Sequence, residues 1–345
     1  MEKQSFSLVV ALFLSFAVTV TAQDTPLSEY TSRREVLQDE ALRQDFTLQG
    51  EYLAKSGNGT MGLHLIADGG GKFRTVAYSG GLPGDGWKAG EPRLYGTAEV
   101  NGDEIAFDMT VGKIVIERAQ GGEGTRPFRL NPVKVEIATP ALLFEKQYRQ
   151  SPTLGEKAPE GAVVIFDGTN LDKFDAGAKM NETQRGNTLW AEARALPFEK
   201  KPYKLHVEFM LSYMPQARGQ QRSNSGVYLD ERYECQILDS FGLEGENNEC
   251  GGFYLVAKPI VNMCFPPLVW QTYDFDFTPA KYEGDTKVAN ARVTVKHNGI
   301  LIHDDIEFQQ ETPGYKKEGA EPLGVYLQGH GNKVQFRNIW LNYVP

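Results

Sequence analysis

The sequence predicts an all-β protein in which a β-sandwich follows a small β-rich domain. Short runs rich in Val, Ile, Phe and Tyr recur along most of the 345 residues, separated by Gly, Pro, Asn or Asp. Few stretches repeat apolar residues with the period of a helix. Asn-Gly pairs at 101–102 and 298–299 sit between such runs, where a tight hairpin needs positive φ at both turn residues. Many strands joined by short turns are typical of a sandwich or barrel.

Residues 1–22 have the features of a signal peptide. Leu8 to Val20 is almost unbroken apolar sequence, and Val20-Thr21-Ala22 offers the small residues that signal peptidase accepts. The apolar run is shorter than the roughly 20 residues that a membrane-spanning helix needs. We therefore expect an exported protein, periplasmic or extracellular, with no membrane span. An uncleaved N-terminal anchor is the alternative.

Residues 27–145 are predicted to form the small β-rich domain. A polar, helical stretch over 28–44 comes first, and runs such as GLHLIAD and EIAFDM then alternate as strands do. His64 lies in one of these runs and is interpreted as a structural residue. Residues 151–160 have the Pro, Gly and charge of a linker, so the second domain is predicted to span 161–345.

Charge and cysteine content exclude several classes of function. A formal net charge of -9 leaves no basic stripe for phosphates, so a nucleic-acid partner is not expected. The three cysteines have neither CxxC spacing nor paired histidines, which argues against a zinc site. Cys250 and Cys264 lie in loop-like segments and are expected to form a disulfide. Cys235 alternates on the apolar face of a strand and is expected to be a buried thiol.

Three runs of the second domain, KLHVEFML, YECQIL and GVYLQGH, share one pattern of alternation. Apolar residues alternate with carboxylates, amides, Tyr and His, and successive strand residues face opposite sides of a sheet. The polar face carries Glu208 in the first run, Glu234 and Gln236 in the second, and Tyr326, Gln328 and His330 in the third. Such groups bind sugar hydroxyls and the C–H faces of sugar rings. An ordinary solvated sheet face is the alternative.

A hairpin is predicted around Asn298-Gly299, joining ARVTVKH to ILIHDD. Its register pairs His297 with Ile300 and Val295 with Ile302. The same register leaves His303 and Asp305 on the face away from the core, where we expect both at the surface.

The motifs of the second domain, in their order, resemble the 3-keto-disaccharide hydrolase family, also described as 3-keto-glucoside lyase and hydratase. The motifs are RGQQRSNSGVYLDERYECQILDSFG, NECGGFY, VNMCFPP, WQTYDFDFT, VTVKHNGILIHDDIE and LQGHGNKVQFRNIWL. The resemblance covers roughly 160–345, and FRTVAYSGGLPGDGW is similar to an extension often found ahead of that domain. It implies a concanavalin A-like jelly-roll sandwich, bacterial export and cleavage of 3-keto-glycosides. The sequence departs from the family pattern at Gly329, where aspartate is usual.

The resemblance implies a sugar substrate with a ketone at C3, either an oxidised monosaccharide or a disaccharide. The ketone acidifies the C2–H bond, so that a base can remove this proton while the anomeric oxygen leaves from C1; water can then add again. Glu234 and His330 are the candidates for base, acid or metal ligand. Candidates for recognising hydroxyls are Arg222, Asn224, Tyr228, Gln236, Gln328 and Glu208.

The same chemistry has two implied partners. One divalent cation, of unknown identity and ligands, could serve as the electrophile that stabilises the enolate oxygen. A sugar 3-oxidoreductase must act upstream, because the ketone has to be introduced before cleavage.

Two other functions stay open at this point. A non-catalytic, lectin-like module would use Tyr228, Tyr326 and Gln328 equally well, and Gly329 favours it. A glucanase-type retaining hydrolase would pair Glu234 with Asp239. In a regular strand Glu234 and Asp239 would face opposite sides of the sheet, so this function needs a β-bulge between them. In addition, Gln236 stands where strands of such glucanases carry a third acidic residue.

Overall fold

The computed structural model describes residues 27–57, 59–102, 104–109, 114–117, 134–137 and 142–344. The predicted signal peptide lies outside these residues. No helix in the described part of the chain is long and apolar enough to span a membrane. The elements, in chain order, are α1 (Arg33–Gln38), α2 (Glu40–Leu48), β1 (Gly50–Ser56), β2 (Gly59–Gly69), β3 (Lys72–Ser79), β4 (Leu82–Pro83), β5 (Gly86–Trp87), β6 (Arg93–Asn101), β7 (Glu104–Met109), β8 (Ile114–Glu117), β9 (Lys134–Ile137), β10 (Leu142–Gln147), β11 (Val163–Phe166), β12 (Met180–Asn181), β13 (Thr188–Trp190), β14 (Ala193–Arg194), β15 (Tyr203–Met210), β16 (Ser225–Leu229), β17 (Tyr233–Ile237), β18 (Trp270–Thr278), β19 (Lys281–Glu283), β20 (Thr286–Ala289), β21 (Ala291–His297), β22 (Ile300–Phe308), β23 (Tyr326–Leu327) and β24 (Gln335–Tyr343). A short 3₁₀ turn at Gly219–Gln221 precedes β16.

The N-terminal part combines two short helices with one sheet. Ser32 and Glu35 cap α1 reciprocally, and Asp39 accepts hydrogen bonds from the first backbone N–H groups of α2. The sheet has the strand order β7-β6-β3-β2-β1-β10-β9-β8. His64 is buried in it, with its Nδ1 3.1 Å from the hydroxyl of Tyr78, as a structural histidine should be.

The C-terminal part is the predicted concanavalin A-like jelly-roll sandwich. One sheet, here called the long sheet, has the order β12-β13-β24-β15-β18-β21-β22, with β11 also paired to β24. The short sheet has the order β14-β23-β16-β17. The core between them holds the apolar sets that the alternation predicted, Leu205, Val207 and Phe209 from β15 with Tyr233, Cys235 and Ile237 from β17.

The β21–β22 hairpin confirms the predicted turn but not the predicted register beyond it. Asn298 and Gly299 have φ of 51° and 79°, as a type I′ turn requires. The register then shifts, so that Val295 lies opposite His303. This bulge turns His303 inward, where its Nε2 lies 2.6 Å from the carbonyl oxygen of Gly251. The expectation of an exposed His303 is therefore wrong, whereas Asp305 is exposed and pairs with Arg292.

All three cysteines are buried free thiols. The predicted Cys250–Cys264 disulfide is therefore wrong, although the two thiols do hydrogen-bond to each other. Both side chains lie in the core of the sandwich, and Cys250 Sγ is also 3.2 Å from the hydroxyl of Tyr273. The buried thiol expected at Cys235 is confirmed.

The N-terminal sheet and the sandwich share apolar contacts. Ile66, Val76, Tyr78 and Trp87 pack into the core cluster of the sandwich. Residues 151–156 lie on the outer face of the long sheet, where Ser151 Oγ is 2.6 Å from Thr272 Oγ1. The domain limits 27–145, 151–160 and 161–345 stay a prediction.

Candidate active site

The outer face of the short sheet brings together residues from strands that are far apart in sequence. Tyr228 on β16 lies opposite Glu234 on β17 and also opposite Tyr326 on β23. In the next row, Gly226 lies opposite Gln236, and its carbonyl oxygen accepts a hydrogen bond from the backbone N–H of Gln328. All these positions alternate with buried core residues and so face outward. Because Gly226 has no side chain, the space above it is free for the side chain of a neighbouring strand.

The side chain of Glu234 occupies this space. Its side chain is only 2% exposed, and its Oε2 accepts a hydrogen bond of 2.7 Å from Tyr228 Oη. A Cβ atom at position 226 would overlap with Glu234 Oε1, which shows that the carboxyl group leans over Gly226. Burial raises the pKa of Glu234 to about 7, and the hydrogen bond from Tyr228 only partly opposes this. Glu234 is therefore poised to exchange a proton near neutral pH.

Amide side chains surround the carboxyl group of Glu234. One orientation of the Gln236 amide donates to Gln220 Oε1 at 2.9 Å, and the opposite orientation donates to Glu234 Oε1 at 3.2 Å. Asn224 donates to Gln220, and Gln328 donates to Tyr228 Oη at 3.4 Å. The side-chain oxygens of Asn224 and Gln328 are buried and have no hydrogen-bond partner. Because buried polar atoms normally have partners, these two oxygens indicate a place for a polar ligand.

An aromatic group lies at the Tyr326 end of this face. The rings of Tyr315 and Tyr326 stack with their centroids 4.8 Å apart, and each lies within 6 Å of the ring of Tyr228. The guanidinium group of Arg194 lies 5.1 Å from the centroid of Tyr326 and forms ion pairs with Asp175 and Glu231. Sequence reasoning missed Tyr315 and Arg194, since one lies in a loop and the other on a two-residue strand.

His330 lies just beyond the strand that carries Tyr326. It is exposed and has no hydrogen-bond or ion-pair partner among the residues that the structure describes. The neighbouring Asn332 accepts a hydrogen bond of 2.8 Å from the backbone N–H of Asn224, which fixes this segment beside β16. His330 follows Tyr326 by four residues, so it lies further along this face than the row that contains Tyr326 and Glu234.

The comparison with known families concerns the whole of this sandwich. Residues 161–342 match the model of the 3-keto-alpha-glucoside-1,2-lyase-like domain, which is more than half of the chain. The chain belongs to this family. Membership supports a carbohydrate-processing, glycoside-acting enzyme.

Two solved structures similar to the lyase-like domain are candidate glycosyl hydrolases from Parabacteroides distasonis. The first is 23% identical with a TM-score of 0.48 and covers 54% of this chain and 85% of its own. The second is 14% identical with a TM-score of 0.35 and covers 54% of this chain and 95% of its own. Among curated proteins, none matches the chain. Because both TM-scores are low, family membership rests on the domain match alone.

Two of the residues predicted for the site are placed elsewhere in the lyase-like domain. Arg222 is buried, donates to Asp239 at 2.6 Å and reaches the carbonyl oxygen of Ala67 in the N-terminal sheet. Asp239, the residue that a glucanase-type site would pair with Glu234, is thus engaged by Arg222. Glu208 lies on the long sheet, where its carboxylate is held by Arg337 at 2.6 Å.

One group of possible metal ligands lies on the outer face of the long sheet. Glu156, His206 and Asp274 are the only three such side chains within ligating distance in the described ranges. His206 Nδ1 lies 2.6 Å from Asp274 Oδ1, and His206 Nε2 lies 3.5 Å from Glu208 Oε1. Burial opposes protonation of His206, but these two carboxylates outweigh it and raise its pKa to about 9. Because Nδ1 of His206 is engaged by Asp274, we interpret this group as an ion-pair network, and a cation held by Glu156, His206 and Asp274 is the alternative.

Proposed function

We propose that this protein cleaves 3-keto-glycosides by removing the C2 proton and eliminating the oxygen from C1, with or without addition of water. The observation that carries the proposal is the buried carboxyl group of Glu234, which lies over Gly226 and has its pKa raised to about 7. A group that titrates near the working pH can both take up and release a proton efficiently. Membership of the lyase-like family supports a ketone at C3 of the substrate.

Each residue around Glu234 has a role in this proposal. Glu234 accepts the C2 proton, and Tyr228 orients its carboxylate through the 2.7 Å hydrogen bond. The unpartnered oxygens of Asn224 and Gln328 accept hydrogen bonds from sugar hydroxyls, and Gln236 adds a donor. His330 is exposed beyond the end of β23, and in this proposal it protonates the departing oxygen.

The proposal includes a divalent cation, for which this face of the short sheet offers oxygen atoms. Oxygens of Glu234, Asn224 and Gln328 are the kind of ligand that hard cations such as Mg²⁺ prefer. Such a cation would act as a Lewis acid on the ketone oxygen. The proposal also includes export from the cell and an upstream enzyme that oxidises the sugar at C3.

NMR with the purified protein tests the proposal. A 3-keto-disaccharide and its unoxidised parent are incubated in D₂O, and products and deuterium at C2 are followed. We expect cleavage of the oxidised sugar alone, because only the ketone acidifies C2. The elimination product should lack a hydrogen at C2, and the product of subsequent addition of D₂O should carry deuterium there. Cleavage of the parent at a similar rate would exclude elimination.

A lectin-like module is the second candidate, and the stacked pair Tyr315 and Tyr326 favours it. In the same experiment, binding of either sugar without any turnover would support this function over catalysis.

Chelation by EDTA with restoration by a divalent cation then separates metal-dependent from metal-independent cleavage.

A further inference from the structure

Glu192 lies at the edge of the short sheet, immediately before β14. Its backbone N–H donates to the carbonyl oxygen of Leu327 at 2.9 Å, which continues the pairing of β14 with β23. Arg194, two residues later, lies opposite Tyr326 on the outer face. Burial is the main cause of the raised pKa of Tyr326, and the negative charge of Glu192 contributes to it. The carboxylate of Glu192 is therefore close to the aromatic end of the candidate active site.

The backbone of Glu192 is held in an unfavourable conformation. Its φ is 69°, in the left-handed region that side chains other than Gly, Asn and Asp rarely adopt. Such strain persists only where the surrounding structure imposes it, and it is often found at functional sites.

Gly329 makes room for Glu192. A Cβ atom at position 329 would lie 2.6 Å from Cβ, 3.0 Å from Cγ and 3.2 Å from Cδ of Glu192. These distances are too short for any side chain at position 329 unless Glu192 moves. The absence of a side chain at position 329 thus leaves the space that the Glu192 side chain occupies.

The carboxylate of Glu192 is available to a ligand as far as the described residues show. Glu192 is exposed, and within the described ranges it has no hydrogen-bond or ion-pair partner, although Arg194 is two residues away. By strand order, Glu192 lies two strand spacings from Gly226, or roughly 10 Å. It is thus too far to act on the ring over Gly226, but it can reach a ring bound next to it.

We propose that Glu192 is a specificity-determining residue, whose carboxylate accepts hydrogen bonds from hydroxyls of the second sugar ring of a disaccharide. This proposal rests on the proposed function, because it assumes that the reacting ring lies over Gly226. The stack of Tyr315 and Tyr326 supplies an aromatic surface beside the same ring. Hydroxyl groups are the natural ligand, since a carboxylate is an acceptor that can engage two of them.

Kinetics on two substrates test this role. The substrates are a 3-keto-disaccharide and methyl 3-keto-glucoside, which lacks the second ring. We expect Glu192→Gly to lower kcat/KM for the disaccharide about 10- to 100-fold, mainly through KM, as for loss of hydrogen bonds to a charged group. The methyl glycoside should be cleaved at the wild-type rate. The melting temperature should stay equal or rise, because glycine accepts φ of 69° without strain.

Three further variants separate this role from a structural one. Glu192→Gln removes the charge but keeps the size, so the test survives if the glycine variant folds poorly. Gly329→Ala should displace Glu192 and show the same loss on the disaccharide alone. Asp305→Gly is the matched control, because Asp305 is an exposed carboxylate on the long sheet with φ of 47°. This variant should have the wild-type kcat/KM on both substrates.

The outcomes are distinguishable. A wild-type protein that cleaves neither substrate defeats the proposed function and the role of Glu192 with it. Wild-type activity with an unchanged Glu192→Gly variant, or with equal losses on both substrates, overturns the role of Glu192 and leaves the proposed function standing.

Discussion

Two glycines of the short sheet are explained by the carboxylates beside them. Gly226 gives room to Glu234, and Gly329 gives room to Glu192. Neither position has the positive φ that usually explains a glycine in a structure. Gly329 is also where the sequence departs from the family pattern, and the contact with Glu192 is a physical reason for this departure.

The buried carboxyl group of Glu234 makes stability depend on pH in a defined direction. Its pKa is raised from 4.5 to about 7 in the folded protein. Between these values the unfolded chain loses its proton while the folded one keeps it, so the free energy of unfolding falls as pH rises. At pH 4.5 we expect the Glu234→Gln variant and the wild type to have nearly the same free energy of unfolding. By pH 8 the free energy of unfolding of the variant should exceed that of the wild type by up to about 3 kcal/mol.

Denaturant titrations at the two pH values measure this difference, with Glu283→Gln on exposed β19 as the control. A difference that does not change with pH would show that Glu234 is not buried as described. The variant should also lose turnover, because glutamine cannot accept the C2 proton.

The wild-type pH profile provides a separate test of the role of Glu234. If Glu234 is the base, kcat/KM rises as pH increases through about 7, where the carboxyl group ionises. A profile that instead falls through this pH would assign Glu234 as the acid and His330 as the base. The measurement is a series of initial rates on a 3-keto-disaccharide from pH 5 to 9.

At the scale of strands, the period of two was enough to predict which residues face the core. The alternation in β15, β17 and β23 correctly separated Val207, Cys235 and Leu327 from their polar neighbours. It could not predict which sheet each strand joins, so Glu208 was grouped with Glu234 although β15 belongs to the long sheet. Bulges are equally invisible to a strict period, as the inward turn of His303 shows. Arg194 and Tyr315 depend on pairings between distant segments, for which one sequence has no local signal.

Strand β15 also carries His206, which should stabilise the fold in a pH-dependent way. Its pKa rises from 6.5 to about 9 on folding. This contribution is fully present below pH 6.5 and is lost as pH rises towards 9. We expect His206→Gln to cost about 3 kcal/mol at pH 6, because Glu208 and Asp274 lose a buried cationic partner, and to cost much less at pH 9.

Turnover by the His206→Gln variant distinguishes the ion-pair network from a catalytic metal site. His206 is on the opposite face of the sandwich from Glu234, so kcat at a temperature well below melting should equal that of the wild type. Loss of activity in a folded variant would instead favour a catalytic cation held by Glu156, His206 and Asp274.

At the scale of the whole molecule, residues that precede position 161 contribute contacts to the sandwich. Tyr78 and Trp87 belong to its core cluster, and Gly155 donates a backbone hydrogen bond to Glu208. We expect a fragment of residues 161–345 to aggregate or to melt at least about 10 °C below residues 27–345, since it exposes the apolar surface that these residues cover. Differential scanning calorimetry of both fragments, with 148–345 as an intermediate, measures the effect. A 161–345 fragment that melts like the longer chain would show that the N-terminal contacts contribute little.

The three buried thiols make it possible to measure how often the sandwich opens. Cys235, Cys250 and Cys264 are all the cysteines of the chain, and each is at most 4% exposed. A thiol-reactive dye can reach them only when the sandwich opens, so the rate of labelling follows the population of open molecules. Saturating sugar should slow labelling if it binds the folded form alone, and the ratio of the two rates then gives the binding free energy. Affinity for a substrate that turns over too slowly for kinetics, or not at all, thus becomes measurable without any engineered label.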